Sequence, residues 1–132
     1  MKYYANYKYI LAEDEQYYTQ ICPLSPITTE FVQLDSNGLM TLKAGFPTDG
    51  PSGPSVDTKT FMRGAFFHDG LYMLLRKNLL HVEDARHEAD KLLRKICRED
   101  GMSWFRAWYV YRAVRLGSEH ASHHGRKIQE AP

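Results

Sequence analysis

The chain has 132 residues, with 17 lysines and arginines against 16 acids and a formal net charge of +1. This length fits one domain able to bury a core without disulfide or metal staples. The near balance of charge argues against a general nucleic-acid binder, which carries a marked basic excess, and so against any specific nucleic-acid partner. No apolar run approaches a membrane span, and Met1-Lys2-Tyr3-Tyr4 lacks the apolar stretch of a secretory signal. The expectation is a protein that is cytoplasmic when synthesised.

Tyrosines crowd the first eighteen residues, which suits strands, where aromatic side chains pack on a pleated surface. Tyr3 to Leu11 reads as one strand and Gln16 to Cys22 as a second, with Glu13-Asp14-Glu15 as a polar turn. Phe31–Leu34 and Leu39–Leu42 flank Asp35-Ser36-Asn37-Gly38, and Asn-Gly between apolar runs signals a hairpin because both residues tolerate positive φ. Residues 1–45 are therefore expected to form a small antiparallel β portion. Residues 46–57 form a loop rich in glycine and proline that cannot continue a helix or a central strand. It is either a rigid connector or a place where the backbone approaches a ligand closely, with Asp49 and Ser52 adding side-chain oxygens.

Asp57-Thr58 offers an N-cap before a helix from Thr60 to Lys77, and a turn near Leu80 leads to a second helix from Glu83 to Glu99, stopped by Gly101. A third, from Ser103 to Leu116, carries Trp104, Trp108 and Tyr111 on one side with Arg106, Arg112 and Arg115 around it, and Gly117 is read as its end. Those arginines form a solvated face, or else Arg112 or Arg115 contacts an anionic, partly apolar ligand. The fold class is α+β: the β portion, then helices over 58–117 containing an antiparallel hairpin, all in a single domain spanning 1–117. Residues 118–132, with His120, His123 and His124, read as a flexible tail. Cys22 and Cys97 belong to no Cys-x-x-Cys pair and read as reduced thiols.

The chemistry concentrates in the first two helices. Phe61, Ala65, His68, Tyr72 and Leu75 share one helix face, which places an imidazole within an apolar stripe. A histidine so placed needs a partner. In a hairpin turning near Leu80, His68 lies twelve residues before the turn and Asp90 ten after. At a rise of about 1.5 Å per residue, their heights differ by roughly 3 Å. A histidine on an apolar face is most often a hydrogen-bonded core residue, but an orienting carboxylate makes the arrangement of a general base. Asp69, rotated about 100° from His68, cannot orient the same ring and is a candidate metal ligand.

Several ordered motifs resemble a family of small, functionally unassigned proteins from tailed bacteriophages and prophages, over roughly Thr41 to Gly117. They are Gly45-Phe46-Pro47-Thr48-Asp49, with Ser52 and Pro54 following; His68-Asp69-Gly70-Leu71-Tyr72; Arg86-His87-Glu88-Ala89-Asp90; and Tyr111-Arg112-Ala113-Val114-Arg115. Pro51 and Gly53 depart from that family's small and apolar residues. The resemblance implies synthesis in the cytoplasm of a bacterial host, a place in the virion, and other phage or host proteins as partners.

More distantly, a glycine-rich loop, a helix bearing His-Asp-x-x-Tyr and an antiparallel helix bearing Asp are similar to the core of secretory phospholipase A2 enzymes. That likeness implies His68 as the base that deprotonates water, Asp90 as its orienting group and Tyr72 as a hydrogen-bond donor to Asp90. It implies calcium held by Asp69 with backbone carbonyls at Gly50 and Gly53, and a phospholipid or membrane surface as partner. Ala65 and Leu71 stand near where that family has disulfide-forming cysteines. Three alternatives stay open: a non-catalytic assembly or host-interaction module stapled by the same cluster, a transition-metal site made of His68, Asp69, His87 and Asp90, and a Ser52 nucleophile.

Overall fold

A computed structural model describes residues 1–5, 9–48 and 58–120. The elements are β1 (Tyr3–Ala5), β2 (Tyr9–Leu11), β3 (Glu15–Tyr18), β4 (Ile27–Thr28), β5 (Val32–Leu34), β6 (Leu39–Leu42), β7 (Pro47–Thr48), α1 (Thr58–Arg76), α2 (Ala85–Glu99) and α3 (Trp104–His120). The α+β class holds, with an antiparallel β portion followed by three helices.

The strands form two sheets, ordered β1-β2-β7 and β3-β6-β5-β4. The segment expected as one strand from Tyr3 to Leu11 is instead a hairpin, with Tyr3 opposite Leu11 and Ala5 opposite Tyr9. Alternation of period two is the same on either side of a reversal, so patterning alone does not expose the fold-back. The strand expected over Gln16–Cys22 is confined to Glu15–Tyr18. The Gly/Pro segment contributes β7, which pairs with β2 at a sheet edge where Pro47 can be tolerated.

Val32 lies opposite Leu42 and Leu34 opposite Met40, and all four are fully buried on one face of the second sheet. The β5–β6 turn closes through Gly38 N–H donating to the Asp35 carbonyl, with Gly38 at φ 92° and Asn37 not in the positive region. The hairpin was legible, but its turn is closed by a single left-handed glycine.

Helix α1 is sandwiched between this sheet and α2: Phe66, Phe67, Leu71 and Leu74 are fully buried among Val32, Leu34, Met40, Leu42, Ala89, Leu92 and Ile96. It ends where Asn78 adopts φ 58° and Leu79 N–H donates back to the Leu74 carbonyl. Helix α2 starts later than Glu83 because Asp84 takes φ 55°, and it stops at Gly101 with φ 101°. Gly117 does not end α3, which runs to His120; a glycine stops a helix only where the chain turns left-handed, and Gly117 has no positive φ.

Helix α2 is the middle of the three. Arg63 meets Asp100, Gly64 faces Leu93 and Cys97, and His68 meets Asp90, so α1 and α2 run antiparallel. Asp90 meets Arg115 and Arg94 stacks over Tyr111, so α3 is antiparallel to α2 as well. Among the described residues no helix is long and apolar enough to cross a membrane.

Candidate functional site

The site is built on Asp90, whose position in the middle helix gives it neighbours on both sides. Its side chain is 0% exposed. From α1, His68 Nε2 lies 2.7 Å from Asp90 Oδ1, and the Tyr72 hydroxyl donates to the same oxygen over 2.8 Å. Spaced four residues apart, His68 and Tyr72 stand one turn above each other, their ring centroids 4.4 Å apart. From α3, Arg115 Nη1 donates to Asp90 Oδ2 over 2.8 Å. The carboxylate is thus held at both oxygens by three side chains from two helices. Among the described residues no buried side-chain nitrogen or oxygen lacks a partner.

A carboxylate only accepts, so the Nε2 proton points at Asp90 and the neutral ring keeps its lone pair on Nδ1. Nδ1 lies 3.7 Å from Asp69 Oδ1, beyond hydrogen-bond length, and the Asp69 side chain is 40% exposed while that of His68 is 12% exposed. The second Asp69 oxygen accepts a hydrogen bond from the Thr48 hydroxyl on β7, which ties the end of the β portion to α1. Burial on its own would lower the His68 pKa; the carboxylates of Asp69 and Asp90 outweigh it and lift the value above the ordinary 6.5.

Beside Asp69 opens a cleft of about 310 Å³ whose walls include Phe31, Phe46 and Met73, with Arg76 at its edge. Apolar walls with one cation and one carboxylate suit a ligand that is apolar over most of its length and anionic at one point. The exposed Asp69 carboxylate is the hard oxygen ligand that calcium takes. Among the described residues no group of three or more His, Cys, Asp or Glu is arranged to hold a metal, so a calcium ion here would need further oxygens from the backbone.

The structure therefore brings His68, Tyr72 and Asp90 together and sets Asp69 beside them. The other candidate metal positions, Gly50 and Gly53, and the candidate side chains Asp49 and Ser52 lie outside the described residues. Arg112 is exposed on α3, and Arg115 turns inward onto Asp90. Arg115, expected around the aromatic side as a ligand contact, instead pairs with Asp90; its spacing of three or four residues along Trp104, Trp108 and Tyr111 gave no signal of this, because both tryptophans on that stripe are exposed. His87, considered as a transition-metal ligand, meets the Tyr111 hydroxyl at 2.8 Å through Nε2.

Together, fold and site define an α+β domain in which a buried carboxylate, gripped from two neighbouring helices, orients a histidine toward a half-exposed acid. The chain belongs to a family described as a protein of unknown function (DUF1353), whose pattern matches residues 26–114. The match contains His68, Asp69, Tyr72 and Asp90, and it ends one residue before Arg115. Neither a curated protein nor a solved structure matches the chain.

Proposed function

We propose that this chain is a phage-encoded hydrolase of the phospholipase A2 kind, in which His68 activates water for attack on a carboxylic ester of a phospholipid. The observation that carries this reading is the 2.7 Å contact of His68 Nε2 with a fully buried carboxylate, because it commits the opposite ring nitrogen to act as base. Water held at Nδ1 gives up its proton there as its oxygen attacks the ester carbonyl. Asp90 stabilises the imidazolium that forms, while Tyr72 and Arg115 keep Asp90 in register. The proton then passes from Nδ1 to the departing alkoxide. Calcium at Asp69, with carbonyls at Gly50 and Gly53, would polarise the ester carbonyl when bound. Synthesis in a bacterial host and carriage in the virion belong to the same proposal.

The test is fatty-acid release from phospholipid vesicles with and without calcium. His68→Ala and Asp69→Asn are expected to abolish calcium-dependent release with the fold intact; equal turnover by the parent and both variants would remove the proposal.

A second reading has its own observation: the partners of Asp90 come from both flanking helices, so the cluster fastens the three together whether or not it turns anything over. On this reading the chain is a virion-assembly or host-interaction protein. His68→Ala then lowers the melting temperature by several degrees and no metal binds. Tight, stoichiometric calcium binding would count against it.

A further inference from the structure

Helix α3 is apolar on two opposite faces, and only one of them is covered. Ala107, Val110 and Val114 pack against Leu93, Cys97 and Met102. On the other side Trp104 is 67% exposed, Phe105 64%, Tyr109 61% and Leu116 60%. At about 100° per residue, Trp104, Trp108, Arg112, Phe105, Leu116 and Tyr109 fall within an arc of roughly 140°, opposite the buried residues. Trp104 and Trp108 stack with rings 6.4 Å apart and 10° from parallel. A helix with apolar residues all round is normally enclosed, and large aromatic side chains seldom stand in water together without a partner.

We infer that the outward face of α3 is an interfacial surface that docks on an anionic phospholipid bilayer. Charge selects this occupant. From Trp104 to His120, the whole of α3, there are three arginines and one acid, Glu119. Arg115 turns inward to Asp90, whereas Arg112 is exposed in the middle of the aromatic arc and Arg106 is exposed about 60° beyond its edge. From α2, Arg94 stacks over the Tyr111 ring at 4.3 Å, so a further cation lies along the helix. Aromatic rings with arginines among them match the layer where acyl chains meet phosphates: the rings enter the boundary and the guanidiniums remain at the phosphate level. A second copy of the chain fits less well, because a two-fold pairing of this face sets Arg112 against its own equivalent at the centre of contact. The choice of lipid rests on the phospholipid reading above; the exposure of the face does not.

Both tryptophans of the chain lie on this face, so intrinsic fluorescence reports its occupancy directly. Titrating the full chain with phosphatidylglycerol vesicles is expected to shift the emission to the blue, and brominated acyl chains are expected to quench it; phosphatidylcholine vesicles should give a much smaller response. Arg112→Glu, and separately Trp104→Ser with Phe105→Ser, should each weaken binding by about tenfold or more while leaving the circular dichroism unchanged. Trp108 remains as the reporter in the second variant. His68→Ala should bind like the parent; vesicle binding by the parent with no hydrolysis would defeat the catalytic reading and leave this surface standing. An emission unmoved by phosphatidylglycerol vesicles overturns the inference. So does a blue shift that follows protein concentration without lipid and vanishes in the Trp104 variant, which would assign the face to a second copy.

Discussion

Arg115 and Asp90 form an ion pair of 2.8 Å in which the carboxylate is wholly buried and the guanidinium is 22% exposed. The pairing gives one oxygen of the buried carboxylate a guanidinium partner, leaving its other oxygen for His68 and Tyr72. Counting formal charges, Asp69 and Asp90 are balanced by Arg115 only when His68 is also protonated, which is the physical origin of its raised pKa.

Removing that cation should cost more than a surface ion pair would. In Arg115→Met the Asp90 carboxylate stays buried and loses its fixed counter-charge, a change expected to destabilise the fold by about 3 kcal/mol. The remaining partners are then Tyr72 and His68, and the His68 pKa should rise further as the positive field of Arg115 disappears. Thermal unfolding combined with an NMR titration of the His68 ring checks both outcomes. An unchanged melting temperature would show that the pair contributes nothing.

The raised His68 pKa sets opposite pH trends for stability and for turnover. Its folded value lies above the ordinary 6.5, so the histidine's contribution to stability is fully present below about pH 6.5 and is lost as the pH rises through the folded value. In the proposed hydrolysis the base is the neutral ring, so on that reading the rate should climb over the same interval. Melting temperature and initial rate measured across it should therefore move in opposite directions. In His68→Gln the melting temperature should lose this component of its pH dependence.

The two cysteines should differ sharply toward thiol reagents. Cys97 is buried between α1 and α3, and burial, reinforced by Asp100 and only partly countered by Arg63, pushes its pKa up to about 12. Cys22 is exposed. Iodoacetamide near pH 8 is expected to modify one site in the native protein and two after denaturation, as read by intact mass. Native labelling of Cys97 would mean that the α1–α2–α3 interface opens readily.

Much of this arrangement was legible because it rests on local rules. The three-or-four spacing put His68 and Tyr72 on one face, and the turn near Leu80 brought Asp90 level with them. Gly101 and the Asp35–Gly38 turn announced themselves through their residue types. What the sequence hid depended on partners far along the chain or on backbone choices that composition does not dictate. Pro47 could join a strand because its partner β2 left it at an edge. Gly117 could remain helical because nothing required the chain to turn there. Which side of α3 is covered was not legible: the aromatic side is exposed, and the buried side is the one made of Ala107, Val110 and Val114, smaller residues that let α3 approach α2.

The same logic of close approach makes Gly64 the residue that sets the His68–Asp90 distance. It lies one turn before His68 on α1, and a Cβ there would meet Leu93 Cδ1 at 2.9 Å, Cys97 Sγ at 3.2 Å and the Leu93 backbone oxygen at 3.3 Å. The leucine methyl can swing aside, but the carbonyl belongs to α2 itself, so relief requires the two helices to part. Gly70, half a turn past His68, offers a control. Its added Cβ would meet the ends of Met40 and Leu42 at 2.6 and 2.9 Å, side chains that can rotate without moving a helix. Each alanine also gains about 1 kcal/mol of helix propensity. In Gly70→Ala that gain should offset most of the strain and leave turnover near that of the parent. In Gly64→Ala the overpacking, about 1–3 kcal/mol, should equal or exceed it. More tellingly, a parting of a few tenths of an ångström weakens the His68–Asp90 bond, so the His68 pKa should drift toward its ordinary value and, on the proposed hydrolase reading, kcat should fall with KM little changed. Turnover reduced equally in both variants would mean that helix separation at Gly64 does not control the dyad.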